Sequence, residues 1–264
     1  MGQALVITSG KGGVGKTTTT ANIGTGLAMM GKNVVLVDTD IGLRNLDVVM
    51  GLENRIVYDI VDVVNGNCRL KQALIKDKRF ENLCLLPAAQ TKDKNAVTEE
   101  QMNNLCQDLK EDFDFVIIDC PAGIEQGFKN AISGAESAIV VTTPEVSAVR
   151  DADRIVGLLE ASEIRDAKLI INRIKPLMVK RGDMMSMEDI IDILAVDLLG
   201  VVPDDETIVV STNRGEPAVM DKNSQAGLAF QNIARRILGE TVPLMNLEPS
   251  YGWFEKIKRL VTRS

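Results

Sequence analysis

Apolar residues along this chain fall into two alternating patterns. Short, almost unbroken runs rich in Val, Ile and Leu occupy Ala4–Ile7, Val34–Val37, Asn82–Leu86, Phe115–Ile118, Ala138–Val141, Lys168–Ile171 and Leu198–Val202. Runs of this kind, lacking the polar alternation of a half-exposed strand, predict parallel strands covered on both faces. Between them the spacing turns helical, over Thr17–Met30, Thr98–Lys110, Gln126–Ser133, Val146–Ala161, Ser186–Leu194 and Ser224–Leu238. Thr98 with Gln101 and Ser186 with Asp189 form capping pairs, and Gly31 and Gly239 stand where helices stop. Residues 52–80 are only weakly helical around an Asn65-Gly66 turn, while Pro87 and Pro203 end the strands before them. This alternation predicts an α/β fold: a doubly wound, mostly parallel sheet of seven to eight strands flanked by helices. Residues 1–240 form one domain in this reading, 241–250 a linker with two prolines, and 251–264 a separate C-terminal helix.

Composition narrows the chemistry. Aromatic residues make up 3% of the 264, so the core has to be aliphatic. There is no histidine, which removes histidine bases, metal ligands and pH switches together and leaves Asp, Lys, Thr and a bound metal. The four cysteines, Cys68, Cys84, Cys106 and Cys120, form no CxxC pair and read as reduced thiols of a cytosolic protein. No apolar run reaches the roughly eighteen residues of a membrane span. A net charge of −7 argues against a general nucleic-acid binder.

The stretch Gly10–Thr18 reads GKGGVGKTT, fits the template GxxxxGK(S/T), and lies between a predicted strand and a predicted helix. Gly10, Gly12, Gly13 and Gly15 carry no Cβ, so successive N–H groups from Gly10 through Val14 to Thr18 can turn onto a polyphosphate at the positive end of a helix dipole. Lys16 then reaches the β and γ phosphates, and the Thr17 hydroxyl is placed to ligate Mg²⁺. Lys11 lies outside that requirement. It is either a solvated loop lysine or a second cation which, sitting too early in the loop to fold back, serves a nucleotide held by another chain.

Phosphoryl transfer to water also needs a metal and a positioned water. Asp119 ends a strand and fits the carboxylate that holds Mg²⁺ through water, and Gly123 in the turn behind it could donate its N–H to the γ-phosphate. Asp40 is the candidate for orienting the attacking water, and Asp38 for steadying Lys16 or the metal shell. Any one aspartate at a strand end could equally be a turn former. Three of them beside a phosphate loop in one sheet favour the ligand reading.

The form KGGxGK(S/T) from Lys11 to Thr17 resembles the deviant Walker A ATPases of the MinD/ParA type, a family of P-loop NTPases. The stretches VDTDIGLRNLD (Val37–Asp47), DCPAGIE (Asp119–Glu125), TTPEVSAVRDADRI (Thr142–Ile155) and RGDMMSMEDI (Arg181–Ile190) resemble the branch of that family that positions the bacterial division septum. The likeness runs essentially from the first strand to the last helix. It implies an ATPase with ATP and Mg²⁺ that dimerises when ATP is bound, with Lys11 crossing to the partner's nucleotide. It further implies that Asn172 bonds the adenine, that the Pro203-Asp204-Asp205 segment closes over the base, and that regulators dock near Arg150, Asp151 and Asp153. Those regulators are a division inhibitor of the MinC type and a MinE-type activator or a topological factor; an Arg/Asp cluster of this kind is also what a solvated helix face looks like. Cys120 stands where the family usually has a smaller residue, and the cysteine contexts of an iron–sulfur member are missing.

The C-terminus has a pattern of its own. At roughly 100° per residue, Trp253, Phe254, Ile257, Leu260 and Val261 fall within an arc of about 120°, flanked by Lys256 and Lys258 with Arg259 and Arg263 behind. Four basic residues stand against Glu255 there, so this short segment carries +3 and the rest of the chain −10. Tyr251, Trp253 and Phe254 are three of the chain's nine aromatics. An amphipathic last helix can simply pack on its domain, but aromatics with cationic shoulders fit an interfacial helix on anionic lipid, and the family resemblance implies the same. Burying five such side chains yields about 8–15 kcal/mol gross, against an ordering cost of roughly 1–2 kcal/mol for each of about twelve residues. One tail then binds marginally, while two on a dimer gain roughly 10²–10⁴ in avidity. The expectation is a cytoplasmic protein, peripheral on the inner face of the cell membrane, whose slow ATP hydrolysis a partner stimulates. The rivals are a partition ATPase with a DNA-binding tail and a metabolic P-loop enzyme. Deleting residues 251–264 is therefore expected to keep basal ATP hydrolysis in a phosphate-release assay while removing ATP-dependent co-sedimentation with anionic vesicles.

Overall fold

The computed structural model describes residues 2–92, 96–164 and 166–245. Strand β1 (Gln3–Thr8) leads through the glycine-rich turn into α1 (Lys16–Met29), and β2 (Val34–Asp38) is followed by the short α2 (Leu46–Met50). A 3₁₀ turn at Glu53–Arg55, α3 (Ile60–Val64) and α4 (Leu70–Ala73) precede a hairpin of β3 (Ile75–Lys76) and β4 (Leu83–Leu86). Then come α5 (Glu99–Asp112), β5 (Phe115–Asp119), α6 (Gln126–Ser133), β6 (Ser137–Thr142), α7 (Val146–Ala161) and β7 (Ala167–Ile174). The described chain closes with α8 (Pro176–Arg181), α9 (Met187–Leu194), β8 (Asp197–Pro203), α10 (Thr207–Asn213), a 3₁₀ turn at Ala218–Met220 and α11 (Gln225–Ile237).

Eight strands form one sheet in the order β3-β4-β2-β5-β1-β6-β7-β8. All neighbours are parallel except β3 and β4 at the edge. Parallel pairing buries each strand on both faces, which is why β2, β4 and β5 are buried at every position. One apolar layer, with α1, α2 and α11, packs on one face, and a second, drawn from α3, α5, α6, α7 and α9, packs on the other. From β1 the chain passes through α1 to β2 on one side, and the later connection from β5 through α6 crosses β1 to β6 on the other, so the winding reverses at β1, where open α/β sheets bind ligands at their carboxyl ends. Register then aligns Ile7 with Asp119 and Asp38 with Asp119.

The expected doubly wound sheet is present, with three local differences. Residues 52–80 are broken into a 3₁₀ turn, two one-turn helices and β3, because an edge strand of two residues is too short to show periodicity. Ile41–Asp47 reads as a loop, yet its end starts α2, and α8 and α10 went unpredicted. Each is under eight residues. The two capping boxes do form: Thr98 and Gln101 exchange bonds of 2.9 and 3.2 Å, and Ser186 and Asp189 of 3.2 and 3.1 Å.

The first part of the expected linker is fastened. The Arg236 guanidinium donates to Val242 O, Pro243 O and Leu199 O, each at 2.9 Å, tying the chain after α11 to β8. The tail residues Trp253, Phe254, Lys256, Ile257, Lys258, Arg259, Leu260 and Val261, with linker residues 246–250, lie outside the described residues. Among the described residues no helix is long and apolar enough to cross a membrane.

Candidate functional site

The loop from Gly10 to Gly15 joins the buried end of β1 to α1, and its glycines are demanded by what packs on it. Gly15 has φ +100°, and a Cβ there would lie 2.4 Å from Asn172 Nδ2. A Cβ on Gly10 would fall 2.2 Å from Asp151 O, so α7 presses on the loop from outside. No side chain caps α1, whose first N–H groups and positive dipole end therefore remain for an anion. Val14 is buried, and its carbonyl accepts from Asn172 Nδ2 at 2.8 Å. Gly12 faces Ala122, which sets Gly123 (φ +97°), with open space where its side chain would be, beside the loop. Thr17 and Thr18 are half-buried at the start of α1.

Beneath the loop two carboxylates lie side by side. Asp119 is buried and accepts from Thr20 Oγ1 at 3.1 Å, and Thr39 Oγ1 donates to its main-chain oxygen at 2.7 Å. Burial pushes the Asp119 carboxyl up to about 6, against the pull of the Thr17 hydroxyl, the Lys16 ammonium and Thr20. Asp38 is fully buried and accepts from the N–H groups of Asp40 (2.9 Å) and Leu46 (3.2 Å). Burial, then the neighbouring Asp119 charge, raise its carboxyl well above the ordinary range despite those bonds. Two buried acids with one buried lysine beside them are short of positive charge, and a cation would relieve both. Among the described residues no group of three or more His, Cys, Asp or Glu could hold a metal alone. That suits Mg²⁺, which takes one or two protein oxygens and leaves the rest to water and phosphate.

Asp40 heads the loop after β2 and, with Thr39, Pro121, Ala122 and Glu125, lines a crevice of about 20 Å³, room for about one water. Farther along that loop, Arg44 Nε lies 3.0 Å from the buried Asp47 carboxylate. Burial raises the Asp47 carboxyl and Arg44 opposes the shift.

Lys16 and Lys11 are placed differently. Lys16 is 8% exposed. The Lys11 side chain is 44% exposed and lies outside its own loop, with Nζ 3.1 Å from Ser147 Oγ and 3.7 Å from Glu145 Oε2. The adjacent face of α7 carries Arg150 and Asp153, both exposed, and the half-buried Asp151.

On the other side, Asn172 ends against the phosphate loop, and Pro203 is half-buried at the end of β8. The Asp205 carboxylate is taken up by Thr207 N (2.9 Å), Ser224 Oγ (2.9 Å) and Ala226 N (3.0 Å), tying the starts of α10 and α11 together. Burial alone would raise its carboxyl, but these donors hold it below the ordinary range. A cleft of about 740 Å³ runs between Thr143–Val146, Arg173, Lys175, Met184 and Asp204. No phosphate-loop residue lines it, since a backbone cradle offers N–H groups rather than enclosed volume.

Sequence reasoning missed three members of the site. Thr20 lies one turn beyond Lys16 on the same helix face, a spacing that could have found it. Glu145 and Ser147, which hold Lys11, and the capping duty of Asp205 depend on contacts between distant segments and leave no local signal.

An AAA-domain family model matches residues 2–166. The septum site-determining protein MinD of Bacillus subtilis is 64% identical over 98% of this chain and 97% of its own length. Among solved structures, a MinC:MinD cell division protein complex from Aquifex aeolicus superposes with a TM-score of 0.87 at 51% identity, covering 95% of this chain and all of that one. The septum site-determining protein MinD of Pyrococcus horikoshii, complexed with Mg-ADP, has a TM-score of 0.82 at 31% identity, covering 92% of this chain and all of that one.

The carboxylate pair makes stability depend on pH. With a folded value of about 6 against the usual 3.8, Asp119 contributes stability that is full below about 3.8 and lost as pH rises through 6. Asp119→Asn cannot titrate. Its nucleotide-free form should gain on the parent chain across that interval, by a plateau on the order of 3 kcal/mol near pH 7. Chemical denaturation at several pH values without nucleotide measures the difference.

Proposed function

The chain belongs to the MinD family of septum site-determining ATPases, and on that premise we propose that it works as an ATP-timed dimer switch on a lipid surface. It acts in cell division: it hydrolyses ATP and contributes to septum placement by recruiting a division inhibitor of the MinC type. The observation that carries the switch reading is the division of labour between the two loop lysines. Lys16 is buried among the carboxylates of its own site, whereas Lys11 is exposed on Glu145 and Ser147. A lysine held outside its own cradle can serve the nucleotide of a second chain once it leaves those two side chains.

In this reading the loop N–H groups from Gly10 to Thr18 bind the phosphates and Lys16 neutralises charge at the transferred group. Thr17 and Asp119 would hold Mg²⁺, with Asp38 behind them, and the bound ion would supply further charge neutralisation on the phosphates. Asp40 orients a water from the adjoining crevice, and the Gly123 N–H reports the γ-phosphate. Asp38 and Asp119 are each taken up by donors of the chain and there is no histidine, so hydrolysis is slow until a partner acts. Asn172 would exchange Val14 O for the base. With the Asp205 carboxylate occupied by its caps, base contacts from Pro203–Asp205 would come from backbone and ring. Arg150, Asp151 and Asp153 would offer the docking face for the MinC-type inhibitor and an activator, next to Gly10 and so responsive to the loop. Residues 251–264 would supply the grip on anionic lipid, effective when two copies are joined.

Co-sedimentation with anionic vesicles at several protein concentrations, with ATP and with ADP and beside a DNA shift assay, tests the reading. The bound fraction should rise more steeply than in proportion to concentration with ATP and stay low with ADP. Lys11→Ala should bind ATP yet elute as a single chain and remain in the supernatant. Equal binding with both nucleotides, or DNA binding without lipid binding, would contradict it.

A further inference from the structure

Arg79 belongs to none of the motifs above and sits in the turn between β3 and β4, yet its guanidinium joins that turn to two distant segments. Nε and Nη2 grip the buried Asp77 carboxylate at 3.0 and 2.6 Å. Nη1 donates to Gly215 O at 2.8 Å, and Nη2 to Met50 O at 2.9 Å. The two carbonyls belong to chain ends that meet with nothing between them. Gly51 (φ +65°) and Gly215 (φ +64°) are so close that a Cβ on Gly51 would lie 2.9 Å from Gly215 O, and one on Gly215 2.5 Å from Gly51 Cα. Both positions need glycine for conformation and for space.

What meets there is the far end of each wall of the nucleotide site. Gly51 closes α2, whose first N–H, that of Leu46, is bonded to Asp38. Gly215 follows α10, which starts from Asp205 just beyond Pro203. Asp204 N donates to Ile174 O at 3.0 Å, fixing the exit of β8 to β7, the strand that brings Asn172 against the phosphate loop. The walls therefore leave the sheet on opposite sides of β1, run along short helices, and rejoin at Arg79.

We infer that Arg79 is a positioning residue for the nucleotide reaction: by fastening the ends of α2 and α10 to each other it makes segments 38–51 and 203–215 respond as one body when the site fills. The inference rests on the ATPase reading above. A planar fork bonding a carboxylate and two carbonyls in fixed directions is a task that lysine, whose three donors sit on one nitrogen, cannot reproduce.

The test is Arg79→Lys in the full chain, studied well below its melting temperature, with hydrogen exchange read peptide by peptide and ATPase kinetics read as kcat and KM separately. In the parent chain Mg-ATP should slow exchange in both segments. In the variant it should still slow exchange where the nucleotide bears directly, at 38–46 and 203–206, but leave the joined far ends, 47–51 and 207–215, near their nucleotide-free rates, with kcat down about tenfold and KM changed less than about threefold. A merely structural role would instead raise exchange throughout and lower activity only with the folded fraction. That result, or protection of both segments with kcat unchanged, would overturn the inference. Should Arg79→Lys fail to fold, Asp77→Asn, which loosens the grip but leaves both carbonyl bonds, carries the same readouts with a smaller uncoupling. Absence of ATP protection in the parent chain would instead count against the ATPase reading.

Discussion

Asp38 and Asp119 end adjacent parallel strands in register, are buried, and have Lys16 as the neighbouring buried cation. Water does not screen them, so the Asp119 charge adds to the cost of ionising Asp38. The sheet places them there: β2 and β5 pair along their whole length, and Thr39 locks onto the main chain of Asp119 by N–H and hydroxyl bonds of 3.1 and 2.7 Å. An aliphatic sheet that buries both faces of its strands thus delivers two acids to a site where charge is missing. A divalent cation, arriving with a polyphosphate, is what would balance it.

Much of the surrounding structure holds that arrangement in place. Asp38 spends its lone pairs on the N–H groups of Asp40 and Leu46, which shapes the loop carrying Asp40 and starts α2. Thr20 does the same for Asp119 from α1, the helix that begins with the phosphate loop. Asp151 presses on Gly10 from outside while Asn172 presses on Gly15 from the other side. Occupancy of the loop can therefore be felt on α7, where Lys11 also rests, and at the ends of β7 and β8. A switch needs that kind of connection between a ligand and an outer surface, through contacts with two arrangements available to them.

The sheet was legible because its strands are long, aliphatic and continuous, and the phosphate loop because its glycine spacing has few other uses. Asp38, Asp40 and Asp119 could be named because strand ends are where such folds bind ligands. Helices α2, α8 and α10 escaped because five to seven residues carry too little periodicity to compete with a loop reading. Asp205 shows the other limit. The family resemblance implied a place for it at the base, but its carboxylate serves two helix starts, a fact set by Ser224 and Ala226 some twenty residues on. Arg79 was invisible for the same reason, since two of its acceptors are main-chain oxygens that no side-chain pattern reports.

The most direct test of the account is calorimetry of Mg-ATP binding in two buffers of different ionisation enthalpy, which counts protons released. With a carboxyl held at about 6 in the empty site, binding near pH 6 should expel a proton from Asp119, and the release should fade by about pH 8. Asp119→Asn should release fewer protons over this interval. Proton release that is the same for both chains at every pH would contradict the claim that the buried acid pair awaits a cation.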